Sequence, residues 1–219
     1  MSLAERTQRE RAIERGSSIV SQCRKCGIGA TRRNAVYGEG DPCAALMLVG
    51  EGPGENEDKL GRPFIGRAGE LLEKMLLSIG IAREDVFICN TVKCRPTLDT
   101  GARLANRPPT PEEMRNCRPY LDEQIDIIRP RVILALGAPA AKSFFGEKFS
   151  ISKQRGQWMD GPSGIATIAT FHPAYVLRQT GGAMTEVKRL VWNDLKQVRD
   201  RLAEPLVPPT TIEQGQLFD

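Results

Sequence analysis

The chain has 219 residues, of which 40% are hydrophobic and 26% charged, and its formal net charge is +4. This is the composition of an ordinary globular protein, and the length suits one domain whose core needs no disulfide bridges. No apolar run is long enough to cross a membrane, which excludes a membrane-spanning helix. The charged N-terminus lacks an apolar segment, which predicts a cytoplasmic protein without a secretory signal. The small positive charge permits a nucleic-acid partner without requiring one.

Short apolar runs alternate with segments of helical periodicity along the chain. The runs at residues 45–49, 86–89, 132–136 and 165–170 are continuous, which predicts strands buried on both faces. Helices are predicted at residues 3–22, with a break near Gly16, and at 68–79, 111–128, 139–145 and 184–202. This alternation predicts an α/β fold with a central four-stranded parallel sheet flanked by helices.

Two segments lie outside this pattern. Residues 95–109 contain three prolines and three arginines and are predicted to form a long functional loop. Residues 205–219 contain prolines and lack a helical period, which predicts a flexible tail. The chain is therefore predicted to consist of one α/β domain, residues 1–204, followed by that tail.

A glycine-rich, acidic segment follows the first predicted strand. It begins Gly50-Glu51-Gly52-Pro53-Gly54 and lies where ligands bind in open parallel sheets, beyond the carboxyl ends of the strands. Glycines let the backbone approach a ligand closely, and the acidic residues argue against a phosphate-binding loop. The alternative is a tight strand-to-helix turn with solvated acidic side chains.

The single histidine of the chain, His172, follows the last predicted strand. A lone histidine is more often structural than functional. Here, however, it lies at the same edge of the predicted sheet as the glycine-rich segment, and this convergence favours a functional site.

Six cysteines in a chain predicted to be cytoplasmic indicate metal ligands or free thiols rather than disulfides. Cys23 and Cys26 form a CxxC pair, while Cys94 and Cys117 flank the proline-rich loop. Four such thiolates are compatible with either a zinc ion or a 4Fe–4S cluster. Cys89 falls inside a predicted strand and is predicted to be a core residue.

Taken together, the motifs resemble those of the family 4 uracil-DNA glycosylases, the iron–sulfur branch of that superfamily, over about residues 15–200. The resemblance rests on four motifs, which are Gly50-Glu51-x-Pro53-Gly54-x-x-Glu57-Asp58, Gly61-x-Pro63-Phe64-Ile65-Gly66-x-Ala68-Gly69, Asn90-x-x-Lys93-Cys94-Arg95-Pro96 and His172-Pro173-Ala174 through Arg178. It implies a monofunctional DNA-repair enzyme that flips uracil out of DNA and hydrolyses its N-glycosidic bond, leaving an abasic site. The implied cofactor is a 4Fe–4S cluster held by Cys23, Cys26, Cys94 and Cys117.

The resemblance also implies how uracil would be recognised. Phe64 would provide the aromatic face on which the base stacks. Asn90 would hydrogen-bond the uracil edge, donating to O4 and accepting from N3–H, an arrangement that cytosine cannot satisfy. Glu57 is the candidate for excluding the methyl group of thymine, because the position of a blocking tyrosine in other branches is occupied by Gly54.

The catalytic candidates follow from the same motifs. His172 would donate a hydrogen bond to uracil O2 and stabilise the departing anion. Gly52 is a predicted substrate-binding position, but it stands where some branches have an aspartate that positions water. Glu51 therefore remains the candidate for holding the water or balancing the sugar cation. Val176 is predicted to wedge into the minor groove, and Arg178, together with Arg155 and Lys153, to contact phosphates.

Three other functions remain open at this point. The first is an iron–sulfur DNA-binding module without catalysis. The second is a uracil-DNA crosslinking enzyme, which would need a histidine in a basic loop; the corresponding residues, 150–156, contain none. The third is a zinc-stabilised nucleotide hydrolase. Nothing in the sequence indicates more than a monomer.

The tail contains a second resemblance. Gln214, Leu217 and Phe218 match the short Gln-x-x-Leu-Phe peptides with which bacterial replication proteins bind the sliding clamp. A flexible segment of this kind orders only on binding, so a modest affinity is expected. The alternatives are a chance match and packing of the two apolar residues on their own domain.

Overall fold

The computed structural model describes residues 2–101 and 103–205. Within them lies a six-stranded sheet and a separate two-stranded hairpin. None of the described helices has the length and apolarity needed to cross a bilayer. In chain order, the strands are β1 Glu39–Gly40, β2 Leu46–Gly50, β3 Phe87–Asn90, β4 Thr97–Asp99, β5 Leu104–Asn106, β6 Val132–Leu136, β7 Trp158–Asp160 and β8 Ala166–Thr170.

The strand order of the large sheet is β1-β3-β2-β6-β8-β7. The four central strands are parallel, as predicted, and coincide with the four apolar runs to within one residue at each end. The prediction of four strands is wrong in one respect, because β1 and β7 add an antiparallel strand at each edge. These edge strands have two and three residues, which is too short to leave a periodic pattern in the sequence.

Helices cover both faces of the sheet. They are α1 Leu3–Ser21, α2 Ile28–Thr31, α3 Glu55–Leu60, α4 Arg67–Leu77, α5 Pro111–Ile128, α6 Ala138–Phe145, α7 Ile151–Gln154, α8 Pro173–Leu177 and α9 Gly181–Ala203. Alternate residues of β2 point to opposite layers, since Leu46 and Leu48 pack with residues of α4 and α9, whereas Met47 and Val49 pack with α5 and α6. The result is the predicted three-layer α/β architecture.

Helix α1 runs through the predicted break at Gly16 without interruption. The glycine is required for a different reason, because a Cβ at this position would collide with the hydroxyl group of Tyr37. The close approach brings α1 into a small third hydrophobic cluster that also contains Val20, Ile28 and Tyr120. The same cluster includes Cys94 and Cys117, and Cys23 and Cys26 pack against it.

The proline-rich segment 95–109 contains more structure than a loop, because β4 and β5 form an antiparallel hairpin within it. The Arg95 side chain fixes one end, since its Nε and Nη2 atoms donate to Asn106 Oδ1 at 2.7 Å and to the Leu104 carbonyl at 3.2 Å. At the other end, Arg107 Nη2 donates to Glu113 Oε1 of α5 at 2.6 Å. The hairpin is therefore held against the sheet edge at which the parallel strands end.

The predicted tail, apart from Pro205, lies outside the described residues. The same holds for Gln214, Leu217 and Phe218, so both the flexible tail and the clamp-binding peptide stay predictions.

Candidate active site

A cavity of about 570 Å³ opens at the carboxyl ends of the parallel strands. Its walls come from the loop after β2, from the end of β3, from the hairpin β4–β5 and from the start of α8. Strand register explains the convergence, because Gly50 pairs with Asn90 and Leu136 pairs with Thr170, so the strands end at one level. The predicted site residues that line the cavity are Glu51, Gly52, Glu57, Phe64, Asn90, His172 and Arg178.

Asn90 ends β3 and is only 2% exposed. Its side-chain oxygen Oδ1 is buried without any hydrogen-bond partner. Buried polar atoms are normally satisfied, so an orphaned amide oxygen on a cavity wall indicates that a ligand supplies the missing donor. The neighbouring strand makes room for this amide, because a Cβ at Gly50 would meet both Asn90 Oδ1 and the ring of Phe64.

Phe64 is held in an unusual backbone conformation, with a φ of 50°. For a bulky residue this left-handed region is unfavourable by about 1–2 kcal/mol, so the surroundings must enforce it. Arg83 does so by donating to the carbonyl oxygens of Phe64 at 3.1 Å and Pro63 at 2.6 Å. The Phe64 ring is stacked with the His172 ring at a centroid distance of 5.5 Å. The two rings thus form one continuous wall.

His172 is the N-cap of α8, and its Nδ1 accepts a hydrogen bond from the Ala174 backbone N–H at 3.0 Å. An accepting Nδ1 places the proton of the neutral ring on Nε2, which leaves Nε2–H free to donate. Burial, and then the positive charge of Arg178, lower the pKa of His172 to about 4. At neutral pH the ring is therefore an uncharged donor with a defined tautomer.

Glu51 and Gly52 are the first residues of the loop after β2, and both line the cavity. Burial raises the pKa of Glu51, and the nearby charge of Arg178 acts in the opposite direction. A Cβ at Gly52 would lie 2.8 Å from Val92 Cγ2, so glycine allows the backbone to pass close to the β3 side of the site. The loop is anchored to β3, since the Thr91 hydroxyl donates to the Glu51 carbonyl at 2.5 Å.

Glu57 connects the two halves of the glycine-rich segment. Its carboxylate accepts from the backbone N–H groups of Gly54 at 3.1 Å, Ile65 at 3.2 Å and Gly66 at 3.4 Å. These bonds fix the loop on either side of α3 and hold the carboxylate at the cavity wall. The predicted role in excluding a methyl group stays a prediction, and the observed contacts add a role in shaping the loop.

The prediction that Val176 wedges into DNA is wrong. Its side chain is 2% exposed and belongs to the main hydrophobic core. Its neighbour Tyr175 is 37% exposed and is stacked on Phe171 with a centroid distance of 4.9 Å. Tyr175 is therefore the aromatic residue that α8 presents beside the site.

Paired substitutions on α8 should separate these two residues. Tyr175→Ala removes an exposed ring, so we expect weaker binding to duplex DNA with little change in the free energy of unfolding. Val176→Ala leaves a gap in the core and should lower the free energy of unfolding by about 1–3 kcal/mol while sparing DNA affinity. Urea unfolding and fluorescence anisotropy measure the two quantities. Loss of DNA affinity in Val176→Ala alone would contradict this assignment.

Arg155 is likewise not available for the predicted phosphate contact. It forms a salt bridge with Asp194, which is fully buried, and its guanidinium lies over the Phe171 ring at 5.7 Å. Asp194 also accepts from the Thr170 hydroxyl at 2.6 Å. This network fastens α9 to the end of β8, directly before His172.

The four predicted metal-ligating cysteines line one small cavity between α1, α2, the end of β3 and α5. Among the described residues, no three His, Cys, Asp or Glu side chains converge on a position for a single metal ion. Two sulfurs accept hydrogen bonds, Cys94 Sγ from Arg32 Nη1 at 2.8 Å and Cys117 Sγ from the Lys93 backbone N–H at 3.2 Å. Such donors stabilise the negative charge of sulfur ligands. Cys89 is buried in the core, as predicted.

Sequence reasoning missed the residues that hold the site from behind. Arg83 supports Phe64, and the Lys93 ammonium donates to the Asn90 carbonyl oxygen at 2.7 Å. The motif Asn90-x-x-Lys93-Cys94 could have indicated Lys93, because a charged residue between a buried strand and a cysteine is unusual.

A sequence model described as the uracil DNA glycosylase superfamily matches residues 37–196. The chain belongs to this superfamily. It is 47% identical over 192 residues to the type-4 uracil-DNA glycosylase of Thermotoga maritima, covering 87% of this chain and 95% of that protein. It is also 43% identical over 202 residues to the type-4 enzyme of Sulfurisphaera tokodaii, covering 89% and 86%. Within the superfamily, the chain is thus a member of the type-4 glycosylases.

Proposed function

We propose that this protein removes uracil from DNA by hydrolysing the N-glycosidic bond and leaves an abasic site for repair. The observation that carries the proposal is the unsatisfied Asn90 amide oxygen, which shares one cavity with the aromatic ring of Phe64 and the neutral donor His172. Membership of the type-4 glycosylases supports it independently.

The Asn90 amide selects the base. Its orphaned Oδ1 accepts from uracil N3–H and its Nδ2 donates to uracil O4. Cytosine presents a donor at position 4 and a bare N3, so both contacts would be mismatched. Because the amide is buried, a mismatch leaves polar groups unpaired and is strongly rejected. Phe64 stacks on the base. Gly52 has no side chain and so leaves room for the base beside the loop. Glu57 is our candidate for excluding the methyl group of thymine.

Bond cleavage develops negative charge on uracil O2 and positive charge on the sugar. Nε2–H of His172 donates to O2 and stabilises the departing anion, for which an uncharged imidazole suffices. Glu51 holds the attacking water or faces the sugar cation; burial raises the pKa of its carboxyl group, and the nearby charge of Arg178 opposes this rise. Arg178 contacts a flanking phosphate of the uracil-containing strand.

The test is a gel assay with the full chain and a labelled oligonucleotide that contains one uracil. We expect free uracil and a strand break at that position only after alkali treatment. The alternatives give different results. A DNA-binding module retards the strand without a break, a crosslinking enzyme produces a covalent adduct, and a nucleotide hydrolase acts on free nucleotides alone.

We also propose that Cys23, Cys26, Cys94 and Cys117 hold a 4Fe–4S cluster. All four cysteines line one cavity, and hydrogen bonds from Arg32 Nη1 and the Lys93 N–H to Cys94 Sγ and Cys117 Sγ suit an anionic group held by thiolates. When bound, the cluster would supply a redox-capable centre and would cross-link α1, the hairpin segment and α5. Cross-links stabilise a fold most when they join segments that are far apart in sequence.

The cluster is tested by composition and by one matched pair of variants. The purified protein should be brown, with about four iron and four sulfide per chain. Cys117→Ser should lose iron and unfold at a lower temperature, whereas Cys89→Ala, in the core of the sheet, should keep its iron. Colourless protein with stoichiometric zinc would contradict the proposal.

Further proposals concern the whole chain. Residues 1–204 form one glycosylase domain that acts as a monomer in the cytoplasm, and the predicted tail, residues 205–219, lies outside the described residues apart from Pro205. The tail binds a bacterial sliding clamp through Gln214, Leu217 and Phe218. Titration of a labelled tail peptide against such a clamp tests this, and equal binding by a Leu217→Ala/Phe218→Ala peptide would contradict it.

A further inference from the structure

Lys93 lies between the cavity lined by Asn90 and the cavity lined by the cysteines, and it has no exposed surface (0%). Its ammonium Nζ donates to the Asn90 carbonyl oxygen at 2.7 Å and to Gln124 Oε1 at 2.5 Å. Its backbone N–H donates to Cys117 Sγ at 3.2 Å. One residue therefore contacts both the base-recognising asparagine and a cysteine of the other cavity.

The charge of Lys93 has no partner of opposite sign within the described part of the chain. No carboxylate there forms a salt bridge with it, and its other neighbours are the Tyr37 ring, 5.8 Å from Nζ, and the buried Cys89 thiol. Burying an ammonium among neutral groups is strongly unfavourable unless an anion lies close by. Asp194, which is equally buried, has its counter-ion in Arg155. The surroundings of Lys93 are therefore incomplete without an anion.

The missing anion belongs on the cysteine side of Lys93. A cluster carried by four thiolates is negatively charged, and the nearest of these cysteines, Cys94 and Cys117, adjoin Lys93 in sequence and by hydrogen bond. On the opposite side, the Gln124 amide is fixed, because its Nε2 donates to the Tyr37 carbonyl at 2.8 Å. A displacement of the ammonium would therefore break its hydrogen bonds to Gln124 and to the carbonyl of Asn90.

We propose that Lys93 is a positioning residue that couples the cysteine-bound cluster to uracil recognition. Its positive charge balances the anionic cluster, and the cluster in turn holds the ammonium where it fixes the Asn90 backbone and aims the side-chain amide. The proposal rests on the proposed function, both for the cluster and for the role of Asn90.

The test uses the full chain with its cluster and compares Lys93→Met, which removes the charge, with Gln124→Glu, which neutralises it in place. Reduction adds negative charge to a cluster, so loss of a buried positive charge should shift the reduction potential to more negative values in both variants. The uracil-specific rate should fall about 10- to 100-fold in Lys93→Met, as expected for loss of a hydrogen bond from a charged group. Lys148→Met, which removes an exposed lysine, is the control and should change neither quantity.

A more negative potential in iron-replete variants, together with a lower uracil-specific rate in Lys93→Met, supports the coupling; a lysine that only fills space in the core would not move the potential. If Lys93→Met fails to retain iron, Gln124→Glu decides. An unchanged potential in iron-replete variants overturns the proposal, as does wild-type protein that binds no cluster. Wild-type protein that holds the cluster but releases no uracil refutes the proposed function, while the potentials still decide the charge compensation.

Discussion

Replacing His172 with alanine should slow uracil release by about 100- to 1,000-fold under single-turnover conditions, because it removes a preorganised donor to the developing anion. The geometry makes the expectation specific. Nδ1 is committed to the Ala174 N–H, so the proton of the neutral ring lies on Nε2, within the cavity wall formed with Phe64. A wild-type rate in His172→Ala would remove the residue from catalysis.

The matched control for this substitution is His172→Asn. Alanine also deletes the N-cap of α8, and loss of a cap typically costs about 1 kcal/mol of stability. Asparagine is a good N-cap whose Oδ1 can accept from Ala174 in place of Nδ1, but its side chain is too short to replace Nε2. We expect His172→Asn to recover thermal stability and to remain slow. Recovery of both stability and rate would mean that capping, not hydrogen-bond donation, is the function of His172.

The pH dependence follows from the same environment. The pKa of His172 is lowered to about 4, so the ring stays neutral throughout the range in which a solvent-exposed histidine titrates. Titration of His172 should therefore cause no change in the single-turnover rate between about pH 5 and 8. Stability has a defined sign as well, because the unfolded chain gains a proton near pH 6.5 and the folded chain does not. The free energy of unfolding should accordingly fall as the pH is lowered from 6.5 towards 4.

The sheet was predictable because its central strands are buried on both faces. Such strands must be apolar throughout, and the four runs stand out from the amphipathic helices around them. The predicted bounds of α5 were correct because neighbouring residues mark its start, where Thr110 and Glu113 form a capping box. The edge strands were missed because two or three residues leave no periodic pattern. The hairpin β4–β5 was missed because the contacts of the Arg95 guanidinium with Asn106 and Leu104 hold it, and these contacts leave no periodic pattern either.

The candidate site was predictable as a set of residues and less so as a geometry. Motif order and strand ends indicated which residues converge. On the single-turn helix α8, however, no periodicity distinguishes Val176 from Tyr175, and only packing against the core decides which is buried. The contacts of Lys93 with Gln124 and Cys117 depend on partners distant in sequence, so no local pattern encodes them. The tautomer of His172 depends on the nearby Ala174 N–H, but only the backbone geometry at the start of α8 brings the two groups together.

Asn90 should decide which base is removed. Asn90→Ala deletes both hydrogen bonds to the uracil edge, and we expect the rate on uracil to fall by about 100-fold or more. Its stability should behave unusually for a buried polar residue. Because Oδ1 has no partner within the protein, its removal breaks no internal hydrogen bond, so the free energy of unfolding should stay constant or rise slightly. Urea unfolding beside single-turnover kinetics measures both, and a loss of stability that parallels the loss of rate would mean that Asn90 is structural.

Asn90→Asp should shift specificity rather than abolish it. Burial raises the pKa of a carboxyl group, so the aspartate is partly protonated in this cavity. A protonated carboxyl donates to the bare N3 of cytosine through its O–H and accepts from the cytosine N4 amine through its carbonyl. Cytosine removal, absent in the wild type, should therefore appear in Asn90→Asp and increase towards lower pH, while uracil removal declines. The measurement is alkali-dependent cleavage of paired oligonucleotides that differ only in uracil or cytosine at one position. If Asn90→Asp cleaves neither oligonucleotide at any pH while remaining folded and binding DNA, the amide does not read the base edge in the orientation assigned here.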